Sequence, residues 1–168
     1  ILVKNTGYQG AYDLKDNALF DDDIATLSAS FTTNAPGNFG GSLNGNGPWT
    51  LADDQVITAN ASHLYTLTFN VKIDLSLSSS GNNIYYQCGK ALNNKPSANE
   101  ALFNESQLDY NNDGRVDERD TACADLPYIV HEKILVNQVQ TGSRSFEVTY
   151  NIIVKNLGGA SDKYTLTD

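Results

Sequence analysis

The clearest regularity along the chain is a period of two. Over His63–Leu75, apolar residues stand at Tyr65, Leu67, Phe69, Val71, Ile73 and Leu75, and polar ones at Thr66, Thr68, Asn70, Lys72 and Asp74. Successive side chains of an extended strand point to opposite faces, so this alternation predicts a half-buried β-strand. Ser145–Lys155 repeats it: Phe146, Val148, Tyr150, Ile152 and Val154 are set against Glu147, Thr149, Asn151 and Lys155. Shorter strand candidates are Ile1–Asn5, Tyr12–Lys15, Ile24–Thr33, Gln55–Thr58, Ile84–Gln87, Ala101–Leu108, Tyr128–Asn137 and Lys163–Thr167. Turn signals separate them: Asn5-Thr6-Gly7, Asn34-Ala35-Pro36-Gly37, Asn44-Gly45-Asn46-Gly47-Pro48, Ser78-Ser79-Ser80-Gly81-Asn82 and Leu157-Gly158-Gly159. Many short strands with such spacing predict an all-β, antiparallel β-sandwich. A helical turn is allowed at Leu19–Ile24 and at Asn99–Leu108.

An internal repeat frames these strands. Leu2-Val3-Lys4-Asn5-Thr6-Gly7 returns as Ile153-Val154-Lys155-Asn156-Leu157-Gly158, and Tyr12-x-Leu14-x-Asp16 returns as Tyr164-x-Leu166-x-Asp168, with one residue of slippage between the two elements. The period is about 151 residues. The strong strand Phe146–Val154 leads into the second copy, and its equivalent before Ile1 is missing. Residues 1–127 therefore read as a sandwich repeat lacking its first strands. Residues 128–168 read as the first strands of a following repeat, or as strands donated to a neighbour. One explanation is a single period of a long tandem array. The other is a subunit whose terminal strands complete a neighbour's sheet by β-strand addition, since an open sheet edge is a handle for polymerisation.

Composition narrows the function classes. The 168 residues suit one domain with a real core. A net charge of −9 argues against a nucleic-acid binder, which needs clustered Lys and Arg, and fits calcium binding and an extracellular surface. No apolar run approaches the roughly 20 residues of a membrane span. The chain contains no Met, which is expected of a processed product or a piece of something longer.

The strongest chemical signal is Asp109-Tyr110-Asn111-Asn112-Asp113-Gly114-Arg115-Val116-Asp117-Glu118-Arg119-Asp120. It matches the twelve-residue calcium loop. Side-chain oxygens fall at positions 1, 3 and 5 (Asp109, Asn111 and Asp113), and Gly114 stands at position 6, where the chain must turn sharply. Arg115 offers its backbone carbonyl at position 7, Asp117 acts at position 9, and Asp120 supplies the closing carboxylate at position 12. Hard oxygen donors in this number select Ca²⁺ over Mg²⁺. Asp at position 12 with Asn at position 3 resembles the loops of dockerins and related extracellular calcium repeats. The loop is single and lacks a flanking helix pair, so a structural ion that rigidifies a long loop is expected rather than a switch. Asp21-Asp22-Asp23 and Asp53-Asp54 read as surface charge runs, with further calcium ligands as the alternative.

Several short motifs together resemble a repeat domain of bacterial cell-surface proteins, a family whose function is unknown. They are Val3-Lys4-Asn5-x-Gly7, Gly10-Ala11-Tyr12-Asp13-Leu14-x-Asp16, the strand Tyr65–Ile73, Cys88-Gly89, Ala101-Leu102-Phe103-Asn104, Thr121-Ala122-Cys123-Ala124-Asp125-Leu126-Pro127 and the restart at His131-Glu132-Lys133. The resemblance implies a tandem immunoglobulin-like β-sandwich in a secreted or wall-anchored protein: a stalk, adhesin or fibre module, and no enzyme. In that extracellular setting Cys88 and Cys123 are expected to form a disulfide, the alternative being buried thiols. The bridge would pin the calcium-loop insertion, about 89–122, at its base. A zinc site is not expected, because there is no CxxC and the two His lie far apart.

Catalytic signatures are absent: no GxSxG, P-loop or HExxH occurs. His63 and His131 have no nucleophile nearby in sequence. Tyr85, Tyr86 and Trp49 read as packing residues, with a sugar-stacking platform as the alternative. The expected role is that of an extracellular structural protein whose partners are copies of itself or adjacent repeats. The competing class is an adhesin or carbohydrate-binding module that meets a glycan or host surface.

Overall fold

The structure, a computed structural model, describes residues 1–45, 47–74, 86–89 and 95–167. Ten strands follow in order: β1 (Leu2–Lys4), β2 (Gly10–Ala18), β3 (Ile24–Thr33), β4 (Gly41–Leu43), β5 (Trp49–Ile57), β6 (Ser62–Ile73), β7 (Leu102–Asp109), β8 (Glu118–Ala124), β9 (Ile129–Gly142) and β10 (Ser145–Asn156). They form three antiparallel sheets: β1-β6-β3-β4, β5-β2-β7-β8, and the two-stranded ribbon β9–β10. The fold is all-β and sandwich-like.

The alternation in the sequence sets the facing of the long strands. In β6, His63 and Tyr65 are buried and Leu67, Phe69 and Val71 half-buried, while Ser62, Leu64, Thr66, Thr68, Asn70 and Lys72 are exposed. In β2, Tyr12, Leu14 and Asp16 point inward together. The core joins both four-stranded sheets: Val3, Ala29 and Tyr65 from the first meet Tyr12, Leu14, Trp49, Leu51, Ala52 and Ile57 from the second. Tyr12 bridges the layers, its hydroxyl lying 2.7 Å from that of Tyr65 and 2.8 Å from His63 Nδ1. Burying each large apolar side chain contributes about 1.5–3 kcal/mol, so this layer accounts for much of the sandwich's cohesion.

Two short strands escape the periodic reading. β4 packs Gly41 against Phe31 through backbone pairing alone, and β8 is an edge strand with almost every residue exposed. Neither has the alternation that burial imprints on a sequence. The stretch 89–122 supplies β7, which sits between β2 and β8 inside the second sheet. The helical turns allowed at Leu19–Ile24 and Asn99–Leu108 do not form; the second is strand β7, because its residues have β2 on one side and β8 on the other to pair with. Lys163–Thr167 forms no strand among the described residues. Of the candidate strand Ile84–Gln87, Ile84 and Tyr85 lie outside the described residues, and Tyr86 and Gln87 carry no strand.

Candidate functional site

The ribbon β9–β10 is the most unusual part of the molecule. It pairs with itself over Ile129–Asn156, with register shifts between Ser145 and Phe146 and between Thr149 and Tyr150. Neither strand joins a four-stranded sheet. Phe146, Val148 and Tyr150 stand exposed on β10, and Ile134, Leu135, Val136 and Val139 on β9. Lys133 Nζ sits 4.8 Å above the Tyr150 ring, a modest cation–π contact. An isolated two-stranded hairpin is marginal in water and needs a further strand or a packing face.

Among the described residues, the ribbon's hydrogen bonds to the rest of the chain lie at its base. Leu157 N–H donates to the Tyr128 carbonyl (2.7 Å), Tyr128 N–H to Asn156 Oδ1 (3.1 Å) and Gln87 Nε2 to the Leu157 carbonyl (3.2 Å). Gly158 is required there: a Cβ at this position would meet the Leu126 carbonyl oxygen at 2.2 Å. Tyr86 stacks on Tyr128 with ring centroids 4.0 Å apart.

The repeated motif adopts the same local structure in both copies. Gly7 N–H donates to Asn5 Oδ1 at 2.9 Å, and Gly158 N–H to Asn156 Oδ1 at 3.0 Å. Asn5 Nδ2 then donates to the Tyr8 carbonyl and Asn156 Nδ2 to that of Ala160, which matches the one-residue slippage in the sequence. In the first copy the motif follows β1, which pairs with β6; in the second it follows β10.

The acidic loop joins β7 to β8 as their hairpin connection. Asp109, at the end of β7, is buried; its two oxygens accept the N–H groups of Asn111 (3.2 Å) and Gly114 (2.9 Å). Asn111 Oδ1 accepts from Asp113 N–H (3.0 Å), and Asp113 Oδ1 from Arg115 N–H (2.9 Å). Asp117 accepts from Tyr110 N–H and Asn111 Nδ2. Left-handed Asn112 (φ 55°) and Gly114 (φ 80°) make the turn. These bonds set Asp109, Asn111, Asp113 and Asp117 in sequence along one hydrogen-bonded coil, but among the described residues the acidic group whose ligand atoms all lie within 4.8 Å of one another is Asp21-Asp22-Asp23 and not a set from this loop. Asp120 is placed differently: it lies in β8 opposite Ser106, and its Oδ1 accepts from Thr121 N–H (2.9 Å). Asn112 Nδ2 donates to Asp54 Oδ1, which ties the loop to β5.

No protein-family model, curated protein or solved structure matches the chain.

Other expected residues are placed as follows. Cys88 and Cys123 are bonded, with Cα atoms 6.0 Å apart, and link the segment before β7 to β8. Asp53 and Asp54 are exposed. Asp21-Asp22-Asp23 is not the surface run its charge suggested: Asp21 and Asp23 are buried, Asp22 is exposed, and ligand atoms of the three lie within 4.8 Å of one another. Asp23 N–H donates to Asp21 Oδ1, and Asp74 N–H to the Asp23 carbonyl, so the turn into β3 folds the charges inward. Trp49 is a core residue whose Nε1 donates to the Asn44 carbonyl (2.8 Å), which removes it from any sugar-facing surface. Tyr86 is half-buried in its stack on Tyr128, and Tyr85 lies outside the described residues. His63 is buried beside Tyr12, and His131 is exposed on β9.

Sequence reasoning missed two buried carboxylates. Asp16 is fully buried on β2; one oxygen accepts from Asn104 Nδ2 at 2.8 Å and the other has no hydrogen-bond partner among the described residues. Burial pushes its carboxyl up to about 6, against the opposing pull of the Asn104 hydrogen bond. The signal was present, since Asp16 continues the inward positions of Tyr12 and Leu14. Glu100 is also fully buried, and its Oε2 accepts from the N–H groups of Gly89 (2.7 Å) and Ser97 (3.2 Å). No pattern in the sequence foretold it.

Proposed function

We propose that this chain is an extracellular structural unit, a stalk module or fibre subunit, whose terminal ribbon completes the sheet of another unit of the same kind. One observation carries the reading. β10 presents an alternating apolar stripe to solvent, pairs among the described residues only with β9, and ends in the motif that follows sheet strand β1. A strand of this kind is an unfinished edge, and the economical partner is a sheet that already accepts the same sequence. The disulfide supports an oxidising setting. The coil of oxygen donors from Asp109 to Asp117 supports a structural Ca²⁺ that would stiffen the β7–β8 connection. Among the described residues no helix is long and apolar enough to cross a membrane. The role is mechanical and needs no catalytic group. The resemblance to cell-surface repeats agrees with it.

Sedimentation velocity and negative-stain imaging over a concentration series, with millimolar Ca²⁺ and then with excess EDTA, test the reading. Linear, concentration-dependent assemblies are expected. Compact monomers throughout would overturn the fibre subunit.

A further inference from the structure

The first sheet has an open place for a strand. On the side of β6 away from β3, β1 pairs only with Ser62–Leu64, and Ile1 adds one more pair: its N–H donates to the Tyr65 carbonyl at 2.8 Å and Tyr65 N–H to its own carbonyl at 2.9 Å. Beyond Tyr65, β6 continues to Ile73 with no strand on that side among the described residues. Leu67, Phe69 and Val71 are only half-buried along this stretch. Next to β1, the sandwich gapes as a groove of about 410 Å³ lined by Ile1–Lys4 and by residues of β7 and β8 such as Leu108 and Glu118.

We propose that this β6 edge receives β10 of a second copy of the chain, in the register that the repeat dictates. The proposal rests on the assembly reading above and names its contact. Superposing Val154 on Val3 sets Ile152 opposite Tyr65, because Ile1 stands there now. The same register sets Tyr150 opposite Leu67, Val148 opposite Phe69 and Phe146 opposite Val71. Directly opposed residues of an antiparallel pair share a face. Leu67, Phe69 and Val71 belong to the inward set of β6, so the whole apolar stripe of β10 turns toward the core, while Glu147, Thr149 and Asn151 turn to solvent. A repeat offset by one residue more or less would have buried those polar residues instead.

The hydrogen-bond phase agrees. Ile1 and Tyr65 exchange both bonds, so Leu67, Phe69 and Val71 present their N–H and C=O groups to the same open side. The incoming Ile152–Asn156 takes the place of Ile1–Asn5. It offers nearly the same residues to Ser62–Tyr65, and Ser145–Asn151 extends the pairing along the rest of β6. The displaced β1 is the shortest partner β6 has, with three paired residues. The donor and acceptor surfaces differ, so the contact is head-to-tail and propagates into a filament.

Thr149 and Thr68 would face each other outward as a non-hydrogen-bonded pair, whose close Cα atoms suit a disulfide. The full chain carrying Thr149→Cys and Thr68→Cys, mildly oxidised with Ca²⁺ and run on a non-reducing gel, should give a ladder of covalent oligomers. The Thr149→Cys, Ser62→Cys chain, whose thiols are far out of register, should stay monomeric. Val148→Asp, at an exposed position of the single copy, should abolish the ladder without changing the circular dichroism. A disulfide closed within one chain would overturn the second copy as occupant. Assemblies seen by sedimentation but without the ladder would overturn this edge and register while leaving the assembly reading standing. Monomers in both assays would overturn both.

Discussion

Asp16 and Asn104 hold each other across β2 and β7: the amide Nδ2 donates to the carboxylate at 2.8 Å inside the sandwich. The second carboxylate oxygen is buried with no hydrogen-bond partner among the described residues, and burial pushes the group up to about 6 from its ordinary 3.8. The folded chain therefore binds a proton between those values that the unfolded chain has released. Asp16 contributes fully below about pH 4, and its contribution is lost as pH rises through about 6. Relative to Asp16→Asn, which does not titrate, the wild type should lose at most about 3 kcal/mol between pH 4 and pH 7. Urea melts of both proteins across that range measure it; a constant difference would show that Asp16 does not titrate as a buried acid.

The chain of hydroxyls through Tyr12 makes a second prediction. Tyr12→Phe keeps the ring and strands the Tyr65 hydroxyl and the His63 nitrogen inside the core. A buried polar group left unmade costs about 1–3 kcal/mol, which denaturant melts at pH 7 should show. Burial holds His63 below its usual range. The unfolded chain then takes up a proton before the folded one, so His63 should lower stability as pH falls below about 6.5. A His63 resonance titrating at the ordinary value would refute this.

Legibility in the sequence followed burial. β6 was readable because a half-buried strand writes its two faces into alternate residues, whereas in β3 a bulge between Thr26 and Ser28 shifts the buried set. β10 shows the same alternation while exposed, so its pattern marks a face that has no partner among the described residues. β8 was unreadable because pairing with β7, and not burial, holds its exposed residues as a strand. Within the acidic loop, residue type and spacing dictate the local turns from Asp109 to Asp117, whereas the place of Asp120 depends on the β7–β8 register, which puts it opposite Ser106. Asp21 and Asp23 read as solvated charge, and only the turn into β3 folds them inward.

The Cys88–Cys123 bridge spans a sequence separation of 35 and links the segment before β7 to edge strand β8. On the chain-entropy account, closing a loop of this length contributes about 3–4 kcal/mol. The double variant Cys88→Ser, Cys123→Ser should lose about that much in denaturant melts. Hydrogen exchange should rise first along β8, which among the described residues has no strand neighbour beyond β7. Unchanged exchange in β8 would mean that the bridge does not brace this edge.

The acidic loop gives the last prediction. Asp109, Asn111, Asp113 and Asp117 follow one another around one coil, and backbone N–H groups satisfy only part of their oxygens. A cation that binds only the folded loop raises stability with the logarithm of its concentration. With the sub-millimolar affinity typical of extracellular calcium modules, 10 mM Ca²⁺ should add about 1.4–2.7 kcal/mol. For a chain of this size the melting temperature should rise by about 3–10 °C. Mg²⁺ at the same concentration should do less, because it demands a tighter octahedron. Asp109→Ala should abolish the rise, since Asp109 holds the loop's entry and its turn together. Asp120→Ala should reduce the rise less, because that carboxylate stands on β8, turned to Thr121. An unchanged melting curve in Ca²⁺ would leave the loop as a hydrogen-bonded acidic turn, and the stiffening of the β7–β8 connection would then fall to the disulfide and the Asn112–Asp54 contact alone.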